Sequence, residues 1–326
     1  MEPLRVGIIG LDTSHGEQFM LRLNDASHPA HVPGARVVAA WPGGSPDLPL
    51  SAGRVSGFTS ALRDRGVAIL SSIAAVCAAV DAVMILSLDG RAHLGQVRQV
   101  LATGRPFFLD KPVAATLAEV VAVYREAGDA GVPMFSASAT RFWPEVVALA
   151  HGDGVPARAV LSRGPAPVLA HHSELFFYGL HAAEALFTVM GMGCRDVERV
   201  STRDVSLVTG WWDDDRVGSL AAMHALPMDS RDYAVTRVDA GRTTTAAGAG
   251  DYRGLVAAIV AFFRDARPPV SAGETLEIYG FLEAARASRL RGGGRVAPRE
   301  VLVEAGCPDA WLPPAADGPP PAVGGP

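Results

Sequence analysis

The stretch Leu4-Arg5-Val6-Gly7-Ile8-Ile9-Gly10 decides the fold class of this chain. Its β-branched residues and its final glycine are typical of a buried strand that ends in a turn. Ser14 and Glu17 follow, three positions apart, in a capping-box pattern, so we expect a helix to start just after Ser14. A strand, a glycine turn and a helix in this order form the context of a dinucleotide-binding site.

The same alternation of strands and helices continues to about residue 140. Its strongest predicted strand is Asp81–Ser87, and strand–helix repeats with short turns predict a Rossmann-like, doubly wound parallel sheet. Beyond this point, longer alternating segments such as 217–225 predict a large, mostly antiparallel open sheet with one wet face. We therefore predict an α/β protein with domains at 1–140 and 141–312, and a disordered tail at 313–326.

Length, charge and cysteine content exclude several classes of protein. A chain of 326 residues has room for two domains, and a net charge of -5 without a basic cluster gives no reason to expect nucleic acid. The three cysteines are far apart, which argues against a disulfide framework or a cysteine-rich zinc site. The chain enters a strand at once and has no apolar run of membrane-spanning length. We expect a cytoplasmic protein that does not bind membranes.

Lys111 is the only lysine in the chain, in a sequence whose other basic residues are all arginine. Lysine can lose and regain a proton near neutral pH when it is buried, whereas arginine stays charged. Lys111 follows the apolar run of Pro106–Asp110, at the expected carboxyl end of a strand, where open α/β sheets bind ligands. The alternative is that one surface lysine has persisted by chance.

The glycine fingerprint of dinucleotide-binding proteins is incomplete. If Gly10 is its first glycine, Asp12 and His15 occupy the positions of the second and third. A carboxylate facing a pyrophosphate would be repelled, so Asp12 must turn away, or the turn is only a capped helix start. After the second strand, a turn that includes Ser45 replaces the usual ribose-binding acid, and it is either a phosphate contact or an ordinary turn.

A cluster of polar residues surrounds the predicted apolar helix Glu174–Met190. Glu174, Tyr178 and His181 are spaced four and three residues apart, so on a helix they would share one face that looks into a wet cavity. The spacings match no familiar zinc motif, and we expect no metal. His181 is either an acid–base group or a core histidine that satisfies a hydrogen bond.

Arg141 and Trp143 follow the last strand of the first domain. Domain junctions are favoured places for ligand pockets, and an arginine with aromatic neighbours suits an oxygenated or anionic substrate. The alternative is that Arg141 fixes the contact between the domains.

Together these motifs resemble the Gfo/Idh/MocA family of oxidoreductases. Asp110-Lys111-Pro112 resembles the Glu-Lys-Pro signature of that family, and Ser87 with His93 resembles its Thr-Pro-x-x-x-His segment. Arg141-Phe142 resembles the Arg-Phe at the entry to the second domain. Tyr178-Gly179-Leu180-His181 resembles the Asp-x-Gly-x-His segment that carries the catalytic histidine. The resemblance extends from Val6 to about Val296.

This resemblance implies an enzyme that uses NAD or NADP to oxidise or reduce a sugar-like or polyhydroxylated small molecule. The second domain would bind the substrate and join subunits into homodimers or homotetramers through its sheet. The implied catalytic residues are Lys111, His181 and Tyr178. The implied cofactor site consists of Gly10, Asp12, Thr13, Ser14, His15, Ser45, Ser87, Asp89, His93, Asp110 and Lys111. The implied substrate contacts are Arg141, Trp143, His171, His172 and Glu174.

Two departures from the family pattern keep other functions open. The incomplete fingerprint favours a non-redox lyase, isomerase or cyclase that uses the same pocket for proton chemistry. Phe177 stands where the family has an Asp four residues before the histidine, which favours a non-catalytic ligand-binding protein unless Glu174 or Tyr178 replaces that Asp.

Overall fold

The computed structural model of the chain describes residues 2–152, 154–212, 215–248 and 250–313. Two six-stranded sheets, each with helices packed against it, make up this part of the chain. The α/β fold class predicted from the sequence is confirmed. The predicted disordered tail, residues 313–326, lies outside the described residues except for residue 313.

The first sheet is parallel and has the strand order β3-β2-β1-β4-β5-β6. Its strands are β1 (Leu4–Ile9), β2 (Ala35–Trp41), β3 (Ala68–Ile69), β4 (Ala82–Ile85), β5 (Phe107–Leu109) and β6 (Met134–Ser136). The helices between them are α1 (Ser14–Asn24), α2 (Pro49–Ala52), α3 (Val55–Asp64), α4 (Ile73–Ala79), α5 (Gly90–Leu101) and α6 (Leu117–Asp129). The order reverses between β1 and β4, and the crevice at such a switch point is where ligands bind.

The second sheet is mixed, with one parallel pair and four antiparallel pairs, in the order β12-β11-β7-β10-β9-β8. Its strands are β7 (Ala159–Pro165), β8 (Cys194–Ser201), β9 (Val205–Trp212), β10 (Val217–Met223), β11 (Ala234–Val238) and β12 (Thr243–Ala247). The accompanying helices are α7 (Pro144–His151), α8 (Gly179–Met190), α9 (Arg253–Asp265), α10 (Ala272–Leu290) and α11 (Pro298–Glu304).

One face of the second sheet packs on helices and the other is open. Helices α8 and α10 contact β7, β10 and β8, and the residues that point towards them, such as Val208 and Leu220, are fully buried. Alternate residues point the other way and include Leu161, Val200 and Leu207, which are 51%, 63% and 55% exposed. The predicted wet face of this sheet therefore carries large apolar side chains.

Helix α9 lies in the second half of the sequence but packs against the first sheet. Ile259 and Phe262 belong to the same buried cluster as Phe19 and Phe135, and the rings of Phe135 and Phe262 meet edge to face at 5.0 Å. The chain thus returns to the first sheet after building the second. The division near residue 140 stays a prediction, and it did not foresee this return.

Two helix starts differ from those predicted. Helix α1 is capped by Thr13, whose side chain accepts from the backbone N–H of His15, so the Ser14–Glu17 capping box is wrong. Helix α8 begins at Gly179 rather than at Glu174, because residues before it form turns. Glu174 points away to accept from Arg199 at 2.7 Å, so the predicted helix face shared by Glu174, Tyr178 and His181 does not exist.

No helix within the described ranges is both long enough and apolar enough to span a membrane.

Candidate active site

A cavity of about 370 Å³ lies at the carboxyl ends of the parallel strands. Residues before position 140 contribute Thr13, Ser14, His15, Asp110 and Lys111 to its wall. Residues after position 140 contribute Trp143, Tyr178, His181, Tyr233 and Tyr252. The cavity thus collects ionisable and aromatic groups from both halves of the chain, as the strand-end position predicts.

Lys111 follows β5 and is only 7% exposed. Its Nζ lies 4.8 Å from the ring centre of Tyr178 and 5.7 Å from that of Phe177. Burial lowers the pKa of the Lys111 amine, and the charge of Asp110 only partly opposes this effect. An amine whose pKa is lowered in this way can exchange a proton more readily than an exposed lysine.

Asp110 and His15 form a buried pair next to Lys111. His15 Nδ1 lies 2.5 Å from Asp110 Oδ2, and the imidazole ring stacks on Phe19 with 5.2 Å between ring centres. Burial raises the pKa of Asp110, but His15 and Lys111 outweigh it, so the net pKa lies below the ordinary value. The carboxylate therefore orients the imidazole in the wall of the cavity, an arrangement typical of general acid–base groups.

His181 lies in the first turn of α8 and bonds to Ser138, just after β6. The Nδ1 atom of His181 is 2.6 Å from Ser138 Oγ, which is 2.9 Å from Thr140 Oγ1. Thr140 Oγ1 donates its proton to the backbone oxygen of His181 at 2.8 Å. It must therefore accept from Ser138, and Ser138 must accept from His181 Nδ1–H. This chain of hydrogen bonds leaves Nε2 of a neutral His181 with its lone pair.

The pKa of His181 lies well below its ordinary value. Burial is the main cause, and electrostatic interactions with Lys111 and His15 add to it. His181 is therefore neutral at neutral pH. A neutral imidazole with a free Nε2 is the form that acts as a general base.

Ser138 was missed by sequence reasoning. The expected partners of His181 were Glu174 or Tyr178, yet Glu174 lies elsewhere and Tyr178 contacts the imidazole edge to face, with 5.0 Å between ring centres. Ser138 supplies the hydrogen bond instead, from a point 43 residues away in sequence. Its position directly after β6 was the available signal, because strand ends on this edge face the cavity.

Five of the predicted cofactor residues line the cavity, and the others lie outside its wall, where most of them form hydrogen bonds within the protein. Ser45, Ser87 and His93 form internal hydrogen bonds: Ser45 N–H donates to Ser51 Oγ, Ser87 Oγ accepts from Gln96, and the His93 ring bridges Ser87 O and Pro112 O at 2.8 Å each. Asp89 caps α5 and pairs with Arg91. Although burial opposes it, the bonds from Arg91 and Ser45 lower the pKa of Asp89 to about 2.

Of the predicted substrate contacts, only Trp143 lines the cavity. Arg141 is buried between Glu184 and Glu274, at 2.7 and 2.6 Å, and lies outside the cavity wall. His171 is exposed, and His172 Nε2 accepts from the backbone N–H of Gly90. Glu174 is bound by Arg199 and Arg289. The structure therefore favours the alternative for Arg141, a fixed contact between elements.

The turn after β1 begins with a glycine whose conformation and surroundings exclude a side chain. Gly10 has a φ of +92°, and a Cβ there would lie 2.3 Å from Ser87 Oγ, so only glycine fits. Asp12, at the position of the second glycine, is fully buried. Its carboxylate turns away from the cavity and accepts from Leu88 N at 2.9 Å and from Ser51 Oγ at 2.6 Å.

The room above this turn decides how a dinucleotide would fit. The nicotinamide end has an open place in the cavity beside Thr13, Ser14 and Lys111. The pyrophosphate end does not fit in the arrangement described, because Asp12 next to the turn is bonded to Ser51 and both side chains are fully buried. A dinucleotide would need the chain after β2 to move.

The fold and the cavity define an α/β protein with a Rossmann-like parallel sheet and a second, mixed sheet. Residues 4–138 match the model of a family described as an oxidoreductase family with an NAD-binding Rossmann fold, GFO_IDH_MocA. Residues 4–138 are therefore similar to this Gfo/Idh/MocA family, as the motifs in that part of the sequence suggested. No curated protein matches the chain.

Solved structures of similar fold cover nearly the whole chain. GenD2 from gentamicin A biosynthesis, in complex with NAD, has a TM-score of 0.73 at 16% identity and covers 91% of this chain and 97% of its own. A probable dehydrogenase from Thermotoga maritima has a TM-score of 0.73 at 17% identity, covering 91% and 100%. Myo-inositol dehydrogenase from Lactobacillus casei, in complex with NAD(H) and myo-inositol, has a TM-score of 0.70 at 16% identity, covering 91% and 97%.

Proposed function

We propose that this chain is an NAD(P)-dependent oxidoreductase that interconverts a hydroxyl group and a carbonyl group on a sugar-like or polyhydroxylated small molecule. The observation that carries the proposal is the convergence of Lys111 and the neutral, oriented His181 in one cavity at the carboxyl edge of the parallel sheet. The similarity of residues 4–138 to an NAD-binding oxidoreductase family supports the redox chemistry, and a neighbour of the same fold contains NAD(H) with a cyclic polyol.

In this proposal the protein residues handle the proton of the reacting hydroxyl. His181 Nε2 takes that proton during oxidation and returns it during reduction, while the Lys111 amine bonds to the same oxygen and lowers its pKa. When bound, NAD(P) would supply the two-electron acceptor for the hydride in oxidation and the hydride donor in reduction. Trp143 and the surrounding tyrosines would shape the place of the substrate ring.

The open face of the second sheet supports a homodimer or homotetramer, the assembly implied by the family resemblance. Val200, Leu207 and Ala221 lie side by side in register on β8, β9 and β10, and the two larger residues are 63% and 55% exposed. An apolar row across three strands is typical of a surface that another subunit covers.

The test is a coupled measurement of binding and turnover. Calorimetry with NAD⁺ and NADP⁺ measures binding, and absorbance of the reduced nicotinamide during incubation with cyclic polyols and aldoses measures oxidation. We expect one cofactor to bind and at least one polyol to be oxidised, with turnover abolished in His181→Gln. No binding of either cofactor at millimolar concentration contradicts the proposal.

A second candidate function is proton chemistry without external hydride transfer, and the His15–Asp110 pair is the observation that favours it. With His181 and His15 both in the cavity wall, the site holds two acid–base groups beside one amine. One group would remove a proton from a carbon next to a carbonyl and the other would protonate a leaving hydroxyl, releasing water. Deuterium incorporation from D₂O into a keto-polyol, without added nicotinamide cofactor, would distinguish this lyase or isomerase from the oxidoreductase.

A further inference from the structure

The chain that follows β2 crosses the crevice at which a dinucleotide would bind. We call residues 45–53 the cover segment. The chain leaves β2 close to the first turn, since Leu11 N–H donates to Pro42 O at 2.7 Å and a Cβ on Gly43 would lie 3.4 Å from Gly10 Cα. The cover segment then bonds to Asp12 through Ser51 and packs on Phe177 through Leu48.

Asp12 is the residue that ties the cover segment to the crevice. In dinucleotide-binding proteins the second glycine of the fingerprint lets the backbone approach the pyrophosphate closely. Here the Asp12 carboxylate occupies that approach and joins Leu88, after β4, to Ser51 in the cover segment. Ser51 Oγ also accepts from Ser45 N–H at 2.8 Å, so one hydroxyl fixes both ends of the segment.

Two further contacts hold the cover segment in place. Arg91 on α5 donates to Asp47 at 2.8 Å and also to Asp89. Arg91 thereby connects the cover segment to the amino end of α5. Leu48 is buried in an apolar cluster with Leu88 and Phe177. Phe177 belongs to the second domain, and its ring also faces Lys111. The cover segment therefore contacts the wall of the catalytic cavity.

We propose that Asp12 determines the affinity for the dinucleotide by holding the cover segment over its binding crevice, so that binding requires the segment to open. The identity of the ligand rests on the proposed oxidoreductase function, whereas the closed crevice does not. Two effects act in the same direction: the carboxylate bonds to the segment, and its negative charge repels the pyrophosphate that would replace the segment.

The binding experiment compares full-length chains by calorimetry with NAD⁺ and NADP⁺. Asp12→Gly restores the second glycine, removes the carboxylate and frees Ser51. We expect it to bind the preferred cofactor about tenfold more tightly than the parent, or more, a factor worth about 1.4 kcal/mol. Asp12→Asn keeps the shape and loses the charge, and should lie between the two. Asp81→Gly is the matched control, because Asp81 precedes β4 at the amino ends of the strands, away from the cavity. It should leave the affinity unchanged.

A second readout follows the cover segment itself. Hydrogen exchange measured by mass spectrometry should show faster exchange in residues 45–53 of the parent when cofactor is added, as the segment opens. In Asp12→Gly the same amides should exchange rapidly before any cofactor is added. Ser51→Ala removes the other partner of the Asp12–Ser51 bond and should behave in the same way. It replaces Asp12→Gly in this experiment if that variant does not fold.

The outcomes separate this proposal from the proposed function. If the parent binds cofactor and the Asp12 and Ser51 variants bind no more tightly, the proposal is wrong and the oxidoreductase function stands. If only the variants bind, the proposal holds and the native chain is not a nicotinamide enzyme. Binding by the parent with unchanged exchange in residues 45–53 also overturns the proposal. Absence of binding in every chain overturns both.

Discussion

Substitutions at Lys111 can separate a role of its amine in proton transfer from a role as a positive charge. Lys111→Arg retains the positive charge, but arginine does not give up a proton near neutral pH. If the amine takes part in proton transfer, turnover should fall by a factor of about 100 to 10,000, the usual contribution of general acid–base catalysis. Ligand affinity should change much less. Steady-state rates beside a binding isotherm for the same variant measure both.

Lys111→Met completes this comparison because it removes the charge as well as the proton. Under the proposed role, both variants lose turnover and only Lys111→Met also loses affinity. Turnover within threefold of the parent in Lys111→Arg would show that Lys111 acts only as a charge.

The depressed pKa of His181 has a consequence for stability at acid pH. In the unfolded chain this histidine has a pKa of about 6.5. Its pKa in the folded protein is well below that value, so the unfolded state binds more protons below pH 6.5. Stability is therefore lost as the pH falls through about 6.5, by up to about 1.4 kcal/mol per pH unit.

His181→Gln removes this titration while keeping a polar side chain of similar reach. Urea unfolding at pH 7.5, 6.5 and 5.5 should show a shallower loss of stability in the variant than in the parent. His31→Gln, at a partly buried histidine that bonds to Arg22 O, is the comparison. Equal slopes for parent and His181→Gln would mean that the His181 ring takes up its proton in the folded state as easily as in the unfolded chain.

At the scale of elements, one buried arginine joins three segments of the fold. Arg141, just after β6, bonds to Glu184 on α8 and to Glu274 on α10. Burial alone would lower the pKa of the Arg141 guanidinium, but the two glutamates outweigh it and raise the pKa. Arg141→Met leaves buried Glu184 without its cation and should reduce the free energy of unfolding by about 3 to 5 kcal/mol.

Chemical denaturation measures this loss, and the chain provides a matched control. Arg98 pairs with Glu126 on the surface between α5 and α6, so Arg98→Met breaks an ion pair in water. Its unfolding midpoint should stay close to that of the parent. If the two variants were equally stable, the buried network would contribute no more than an exposed pair.

Element order was open to prediction from sequence because it depends on local patterns. The β-branched runs and glycine turns up to residue 140 predicted the parallel sheet, and this order follows from period and turn chemistry. The start of α8 was not accessible in this way, because the apolar run of Leu175–Phe177 continues the helical pattern through residues that form turns. The tertiary contact with Arg199 decides where the Glu174 side chain points.

Individual site residues could be predicted from the sequence, whereas bonds between residues distant in sequence could not. Lys111 and His181 were found from composition and motif, and both line the cavity. The bond of Asp12 to Ser51 joins residues 39 apart, and that of His15 to Asp110 joins residues 95 apart. No local period encodes such pairs, so the sequence allowed Asp12 to turn away without showing what it would hold.

At the scale of the whole molecule, the open sheet face predicts association between subunits. Leu207→Asp places a charge in the centre of the apolar row with Val200 and Ala221. Burying an unpaired charge in an interface is costly, so this variant should be monomeric where the parent is a dimer or tetramer. Light scattering after size-exclusion chromatography reports the mass of each.

Val303→Asp is the matched control, because Val303 is 54% exposed but lies on α11, away from the sheet face. It should leave the mass unchanged. An unchanged mass for Leu207→Asp, or a parent that is already monomeric, would remove the sheet face from consideration as an interface.

The buried position of the sole lysine also governs how the protein responds to amine-directed reagents. Besides the α-amino group, the chain offers such reagents one ε-amine, and it lies in the cavity rather than on the sheet face. Lysine cross-linkers are therefore unsuited to trapping the subunits together, whatever their arrangement. Acylation of Lys111, located by peptide mass spectrometry apart from that of the α-amino group, would instead count unoccupied cavities, and a molecule that fills the cavity would protect Lys111.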